Sequence, residues 1–261
     1  MTPGAAENPT PDRPVSARRH TTVLHLTDTH IATAEGYALK GVGVRKSLVR
    51  VLTHAARLQH YDLLLATGDL AHDGSETAYR WLAETLESGT SRTACLAGNH
   101  DNPSHLATVL PTPKQIRLNN WRMILLHTPV TDAEGGHLAE AELAFLELAL
   151  SAPAMPTLIA LHHPPVTIGS RWLDAIGLDN AGDFWRLIEC RHQVRAVLFG
   201  HAHQAFDAFR GTVRLLGTPS TCAQFRPQSD DFALDTLPPG YRTLTLREDG
   251  HVESAVHYLP A

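Results

Sequence analysis

Five short polar segments of this chain carry residue types that bind metal ions, and each segment directly follows an apolar run of strand length. The segments are Asp28-Thr29-His30, Gly68-Asp69, Gly98-Asn99-His100-Asp101, His162-His163-Pro164 and Gly200-His201-Ala202-His203. Their carboxylate, amide and imidazole groups suit Mn, Fe, Zn or Co better than Ca or Mg, and the lack of thiolates argues against a structural zinc site. The segments therefore predict a site for transition-metal ions.

The spacing within and between these segments favours one shared site. Side chains two residues apart on an extended chain point to the same side, so Asp28 with His30, and His201 with His203, are each expected to chelate as a pair. Three segments begin with a glycine, which lets the backbone turn sharply out of a strand. In open α/β sheets, ligands bind beyond the carboxyl ends of the strands, so segments far apart in sequence are expected to converge there.

Strands and helices that can position the segments alternate along the chain. Apolar runs followed by turns that contain Gly, Pro or Asp predict buried strands. These runs cover residues 23–26, 63–66, 94–97, 123–126, 158–161 and 196–199. Apolar spacing of 3.6 residues predicts helices, which cover residues 44–58, 76–86, 140–150 and 182–190. Such alternation favours α/β layering.

The ends of the chain have different patterns. Turn residues predict two hairpins, 205–209 with 213–216 and 241–246 with 252–257, which are expected to add an antiparallel sheet. Residues 1–20 are rich in proline and are expected to form a flexible tail. The remaining residues, 21–261, are expected to form a single domain.

Composition excludes several classes of function. The formal net charge is -5, and no Lys/Arg-rich stretch exceeds the short cluster of Arg13, Arg18 and Arg19, so a nucleic-acid partner is not expected. The three cysteines form no CxxC pair, which argues against a disulfide scaffold and favours the reducing cytoplasm. No run approaches the roughly 18 apolar residues of a membrane span, and the first twenty residues lack the apolar core of a signal peptide.

The five segments together have the pattern DxH, GD, GNHD, H and GHxH, which resembles the calcineurin-like metallophosphoesterases. Across residues 21–259 the resemblance narrows to the class III cyclic nucleotide phosphodiesterases. The segments 217–225 and 239–242 are similar to those of the bacterial 3',5'-cyclic AMP phosphodiesterases. This resemblance implies an α/β fold, a four-layer αββα sandwich of two mixed β-sheets flanked by helices, with residues 21–261 as the catalytic domain.

The resemblance also implies two metal ions, drawn from Fe, Mn, Zn and Co. The implied ligands of one ion are Asp28, His30, Asp69 and His203. The implied ligands of the other are Asp69, Asn99, His162 and His201, so that Asp69 bridges the two ions. The residues implied to line the phosphate of a bound nucleotide are His30, Asp69, Asn99, His100 and His203. His163 is not expected to be a ligand.

The implied reaction is hydrolysis of 3',5'-cyclic AMP to 5'-AMP by a hydroxide that bridges the metals. His100 is the expected general acid for the leaving oxygen, with Asp101 as its orienter. A phosphodiesterase for glycerophosphodiesters or other small diesters is an alternative that shares the same metal motifs. A non-catalytic binding module on this scaffold is the other alternative, but it should lack ligands or the GNHD histidine. The expected partner is a small cyclic nucleotide, without nucleic acid or membrane, and a homodimer is left open.

Most of the 17 histidines are expected to be structural, because they lie on predicted helices, strands or tails without ligand partners. These are His20, His25, His54, His60, His72, His105, His127, His137, His192, His251 and His257. His72 is the weakest member of that set, since its loop borders the predicted pocket. A core or lid role is favoured over base stacking for Trp172 and Phe225. Cys222 is expected to be a small packing residue and not a nucleophile.

Overall fold

Thirteen strands and six helices make up the described part of the chain, residues 20–87 and 92–260 of a computed structural model. The strands are β1 (His20–Leu26), β2 (Ala38–Leu39), β3 (Val42–Gly43), β4 (Leu63–Thr67), β5 (Thr93–Leu96), β6 (Gln115–Leu118), β7 (Trp121–Leu125), β8 (Thr157–Ala160), β9 (Val194–Phe199), β10 (Phe206–Arg210), β11 (Val213–Gly217), β12 (Gly240–Arg247) and β13 (Val252–Tyr258). The helices are α1 (Val44–Leu58), α2 (Glu76–Glu87), α3 (Pro103–Val109), α4 (Glu140–Ser151), α5 (Arg171–Asp174) and α6 (Ala181–Ile188).

Two large mixed sheets form the centre of the fold. The first has the order β13-β12-β1-β4-β5, in which β1, β4 and β5 are parallel and β12 is antiparallel to β1. The second has the order β10-β11-β9-β8-β7-β6, in which β7, β8, β9 and β11 are parallel. Parallel neighbours place their carboxyl ends at one edge, so each sheet gathers several strand-end loops there.

Side chains that alternate along the central strands point to opposite faces of each sheet, and they belong to three separate apolar layers. On β1, Leu24 and Leu26 belong to the layer against α1, α2 and α3, whereas Val23 belongs to the layer between the sheets. On β9, Val197 and Phe199 face the layer against α4 and α6, whereas Leu198 faces the other sheet. Both faces of each sheet are therefore covered, which explains why these strands read as continuous apolar runs. The predicted four-layer αββα arrangement is confirmed.

The predicted core strands and helices are all present, with ends that differ by a few residues, and α1 has the predicted bounds. The prediction of an additional antiparallel sheet is wrong. The hairpin of β10 and β11 extends the second sheet, and that of β12 and β13 extends the first, because β11 pairs with β9 and β12 with β1. The short elements α3, α5, β2, β3 and β6 were not predicted.

The two ends of the sequence contribute little to this description. The predicted flexible tail lies outside the described residues, except that His20 begins β1. The single-domain organisation stays a prediction. Within the described ranges, no helix is long and apolar enough to cross a membrane.

Candidate metal centre

The five polar segments meet at the edge where the parallel strands of both sheets end. Hydrogen bonds from backbone amides to carboxylate side chains join them: the His201 amide donates to Asp28 Oδ2 at 3.1 Å, although the two residues are 173 positions apart. The His100 amide donates to Asp69 Oδ1 at 2.9 Å. The loops after β1 and β9, and those after β4 and β5, are thereby held against each other, as their strand-end positions predicted.

Five of the seven predicted metal ligands have a left-handed backbone. The residues and their φ angles are Asp28 (52°), His30 (45°), Asp69 (50°), His201 (64°) and His203 (48°). The expectation that the two chelating pairs sit on extended chain is therefore wrong, because both members of each pair have a left-handed backbone. Left-handed conformations of non-glycine residues cost free energy and persist only where the surroundings enforce them, commonly at functional sites.

The glycines that precede the ligands act in two different ways. Gly68 has a φ of +91°, a conformation that side chains rarely adopt. Gly98 and Gly200 have no such φ, but a Cβ at Gly98 would lie 2.8 Å from His162 Cε1, and one at Gly200 would lie 2.9 Å from Asp28 Oδ2. These two positions therefore need glycine because the backbone passes directly against ligand side chains.

Asp28, His30 and His203 form a first group of metal-competent atoms. His30 Nε2 and His203 Nε2 are 3.2 Å apart, and His203 Nε2 lies 3.4 Å from Asp28 Oδ1. Asp69 Oδ2 lies 3.8 Å from His30 Nε2. Each of these side chains is nearly inaccessible to solvent. The four residues expected to hold one ion are therefore adjacent, and one donor atom each from Asp28, His30 and His203 lies within 4.8 Å of the others.

A second group adjoins the first through Asp69. Asp69 Oδ1 lies 3.4 Å from His162 Nε2, and Asn99 Oδ1 lies 3.1 Å from His201 Nδ1. The Nε2 atoms of His162 and His201 are buried and have no hydrogen-bond partner among the described residues. Buried nitrogens are rarely left unpaired, so these two lone pairs fit a bound cation. The donor set thus fits two transition-metal ions.

Hydrogen bonds to the far side of two imidazoles fix which nitrogen faces the centre. His203 Nδ1 lies 2.7 Å from the Ala223 carbonyl oxygen, and His162 Nδ1 lies 2.8 Å from the Thr67 carbonyl oxygen. Such partners orient metal-binding histidines and raise their basicity. His163 differs, because Thr128 Oγ1 and the Glu134 carbonyl oxygen occupy its two ring nitrogens. This arrangement supports leaving His163 out of the ligand set.

Burial and charge prepare the same atoms for a cation. Burial opposes ionisation of Asp69, but the charge on His162 lowers the pKa of this carboxyl well below its ordinary value. Burial likewise disfavours the charged form of His162, but the Asp69 carboxylate raises its pKa to about 9. Burial lowers the pKa of His30 to about 3, which keeps this ring in the neutral form that binds metals. The buried carboxylates therefore favour positive charge beside them, and the neutral imidazole of His30 offers a lone pair.

Asp101 does not orient the His100 ring as expected. Its carboxylate accepts hydrogen bonds from the backbone amides of Leu70, Ala71 and Gly98, and from Tyr79 Oη at 2.8 Å. Among the described residues, no hydrogen bond reaches the imidazole of His100. Asp101 instead links the Gly68-Asp69 segment to the GNHD segment. It therefore fixes the position of Asp69 relative to the residues that follow β5.

An open cavity of about 300 Å³ lies directly over the two groups. Its floor contains predicted site residues, which are His30, Asp69, Asn99, His100, His201 and His203. The wall carries Lys40, His72, Trp172, Ile176 and Phe225. His72 lines the cavity, as the position of its loop predicted. Its position three residues after Asp69, in the same loop, was the only signal in the sequence.

Phe225 and Trp172 both pack against the apolar layer on the helix side of the second sheet, which agrees with the expected core role, and both also line the cavity. The Phe225 ring stacks on His203 with centroids 4.1 Å apart and planes 10° apart, and Trp172 meets it edge to face at 5.3 Å. Phe225 therefore supports the ring of His203, a predicted ligand, and Trp172 beside it lines the cavity. Cys222 is buried, and burial raises its pKa to about 12, which agrees with a packing role and not a nucleophile.

Comparisons with known proteins agree with this geometry. Residues 21–205 match the family model described as calcineurin-like phosphoesterase. A 3',5'-cyclic adenosine monophosphate phosphodiesterase of Vibrio vulnificus is 39% identical over 91% of this chain and 89% of its own length. The protein of the same description from Pseudomonas aeruginosa is 40% identical over 90% of this chain and 88% of its own.

Solved structures show the same fold at low identity. A dimetal phosphatase from Danio rerio superposes with a TM-score of 0.63 at 15% identity, covering 91% of this chain and 98% of that one. A purple acid phosphatase from yellow lupin gives a TM-score of 0.62 at 15% identity, covering 92% of this chain and 54% of that one. At these identities the likeness concerns the fold alone.

Proposed function

Because the chain belongs to the calcineurin-like phosphoesterase family, we propose that it is a dinuclear metal-dependent phosphodiesterase that hydrolyses 3',5'-cyclic AMP to 5'-AMP. The buried carboxylate and imidazole cluster carries this conclusion, above all the unpaired Nε2 atoms of His162 and His201. The choice of substrate is supported by relatives of that description, which are 39% and 40% identical over about nine tenths of the chain. No predicted ligand is missing, which disfavours a binding module.

The proposed ligands follow the two groups of donor atoms. Asp28, His30, Asp69 and His203 hold one ion, and Asp69, Asn99, His162 and His201 hold the other. Fe, Mn, Zn and Co are the candidate metals, since they accept mixed carboxylate, amide and imidazole sets. When bound, the two ions supply Lewis acidity, which lowers the pKa of the attacking water and neutralises charge on the phosphate.

The surrounding residues bind the phosphate and manage the leaving group. His30, Asp69, Asn99, His100 and His203 lie around the floor of the cavity, where the phosphate is proposed to bind. The oxygen of a water molecule forms a bond to phosphorus while the bond from phosphorus to O3' breaks. His100 gives its ring proton to O3', and the proton that the water loses returns to the ring through solvent.

Three free cysteines in the described structure support the proposal of a cytoplasmic location. Two of them, Cys95 and Cys222, are buried, and the third, Cys190, is exposed. Exposed free thiols persist most readily in a reducing compartment. A small cyclic nucleotide is the only partner that this proposal requires.

Product analysis tests the reaction directly. The metal-loaded enzyme is expected to convert 3',5'-cyclic AMP to 5'-AMP with little adenosine, as measured by chromatography. A matched reaction with the His162→Ala variant controls for contaminating activity, since that variant loses one of the two unpaired buried nitrogens. Rapid hydrolysis of glycerophosphodiesters without turnover of cyclic AMP would instead identify the alternative diesterase.

A change of leaving group tests the role of His100. His100→Ala is expected to lose about 10²–10⁴-fold in turnover on cyclic AMP, because the ribose O3' needs a proton to depart. The leaving group of bis-nitrophenyl phosphate is nitrophenolate, which is stable without a proton. The same variant should therefore keep a larger fraction of its activity on that diester. Equal losses on the two substrates, with both metals retained, would contradict the general-acid role.

A further inference from the structure

Three aromatic rings from separate segments form a continuous stack at the edge of the cavity. The rings of Tyr37 and His72 have centroids 4.9 Å apart and planes 27° apart. The rings of His72 and His100 have centroids 4.9 Å apart and planes 22° apart. Tyr37 precedes β2, His72 lies in the loop after β4, and His100 lies in the loop after β5. The stack therefore joins three loops at the ring proposed to donate the proton.

His100 depends on ring contacts for its orientation. The residue is exposed, and in the part of the chain that the structure describes no hydrogen bond reaches its imidazole. One face stacks on His72, and an edge-to-face contact with His30 has centroids 4.9 Å apart and planes 81° apart. An exposed side chain without such contacts exchanges between staggered rotamers. Of these two contacts, that with His72 lies flat against the ring, so it is the one that restrains the plane of the His100 imidazole.

His72 is itself held firmly enough to serve as a support. Its Nδ1 lies 3.4 Å from Nδ1 of His30, and its backbone amide donates to the Ile31 carbonyl oxygen at 2.8 Å. The neighbouring Asp73 accepts hydrogen bonds from the backbone amides of Thr33 at 3.0 Å and Ser75 at 3.1 Å. These bonds anchor the loop after β4 to the loop after β1, so the His72 ring has a fixed place between Tyr37 and His100.

We propose that His72 is a positioning residue that holds the His100 ring in the orientation from which it protonates the leaving oxygen. This inference rests on the general-acid role proposed above for His100. Small errors in the placement of a catalytic group reduce turnover sharply, even when the group itself is intact. The requirement on His72 is a flat ring against His100, so shape matters more at this position than the imidazole nitrogens.

Two substitutions separate the flat ring from the imidazole. His72→Ala removes the stack and should lower kcat on cyclic AMP by about 10–10²-fold, with KM little changed. His72→Phe keeps a flat ring and should recover most of that turnover, although it cannot contact His30 Nδ1 as a hydrogen-bonding group. On bis-nitrophenyl phosphate, His72→Ala should lose much less. The exposed His251, on the turn between β12 and β13, supplies the control variant His251→Ala.

A double-substitution cycle shows whether His72 acts through His100. Once His100 is replaced by Ala, adding His72→Ala should have almost no further effect on cyclic AMP, because the group being positioned is gone. Metal content and melting temperature are measured for each variant, and both should match the wild type. An additive loss, or a His72→Phe variant as impaired as His72→Ala, would overturn the positioning role and point to support of His30. Failure of the proposed general acid is recognised separately, by equal losses of His100→Ala itself on both substrates.

Discussion

Asp69 is the side chain on which the two groups of donor atoms depend. One carboxylate oxygen approaches His162 and the other approaches His30, at 3.4 and 3.8 Å. The same carboxylate also accepts a hydrogen bond from the His100 amide, so it connects the proposed metal ligands with the proposed acid. No other carboxylate of the site approaches a histidine of each group while also holding the GNHD turn.

Replacement of Asp69 should therefore cost more metal than replacement of a ligand that serves one ion. Asp69→Ala is expected to retain fewer ions per chain than Asp28→Ala, as measured by elemental analysis after equal dialysis. The exposed Asp230→Ala variant should retain both ions and serves as the control. Two ions per chain and normal turnover in Asp69→Ala would show that the carboxylate does not bridge.

The sequence predicted which side chains come together better than it predicted their backbone conformation. Carboxylates, an amide and imidazoles after apolar runs were enough to predict that these side chains meet where the parallel strands end. The left-handed backbone conformations of Asp28 and His203 could not be predicted, since local propensity disfavours them and only the surrounding contacts enforce them. The stacking of Phe225 on His203 and of His72 on His100 could not be predicted for a related reason, because each contact joins rings from different segments.

At the scale of elements, long periodic segments were predicted well and short ones were not. Helix α1 has the predicted bounds, because fifteen residues carry a clear apolar period. Helix α3 has only seven residues, although its start is marked by Asn102, whose side chain accepts from the Ser104 and His105 amides. The hairpins were recognised but assigned to a sheet of their own, because the strand that each edge pairs with is not encoded locally.

The close approach of β9 to the first sheet gives an element-level prediction. A Cβ at Gly200, directly after β9, would lie 2.9 Å from Asp28 Oδ2 and 3.0 Å from Thr27 Cβ. Gly200→Ala should therefore push the two strand ends apart, destabilise the fold by about 1–3 kcal/mol and reduce metal content. Denaturant unfolding and elemental analysis measure the two effects.

Helix α6 provides the matched control for this substitution. Gly182 lies within that helix, and a Cβ there would have nothing within 4 Å. Gly182→Ala should stabilise the protein by about 0.5–1 kcal/mol, since alanine is the better helix former, and should leave metal content unchanged. If Gly200→Ala behaved like Gly182→Ala, close packing would not explain the glycine after β9.

At the scale of the whole molecule, a few polar side chains cross the apolar layer between the sheets. Arg242 on β12 donates to the carbonyl oxygens of Phe206 and Gly217, at 3.0 and 2.7 Å, in the second sheet. Trp121 on β7 donates from Nε1 to the Arg247 carbonyl oxygen at 2.8 Å, in the first sheet. Because the loops that carry the proposed ligands come from both sheets, these crossings hold the two groups of donor atoms in place relative to each other.

His25 is the crossing with a pH dependence that can be measured. This fully buried ring on β1 lies 2.7 Å from Thr67 Oγ1 in its own sheet and 2.7 Å from Thr218 Oγ1, just after β11 in the other. Burial, with help from the charge of Arg242, lowers the pKa of His25 from 6.5 to about 3. The folded protein therefore keeps the ring neutral at pH values at which the unfolded chain binds a proton.

The sign of the effect on stability follows from that difference. Below pH 6.5 the unfolded state takes up a proton that the folded state refuses, so the contribution of His25 is fully present above that pH and is lost as the pH falls toward 3. The loss should approach about 1.4 kcal/mol per pH unit. The free energy of unfolding, measured for the wild type and His25→Gln from pH 8 to pH 5 at one metal concentration, should therefore fall more steeply in the wild type below pH 6.5. Above pH 7.5 the free energies of unfolding of the two proteins should differ by a constant amount. That constant measures any packing defect of the variant. Parallel curves over the whole range would mean that His25 is not held neutral between the sheets.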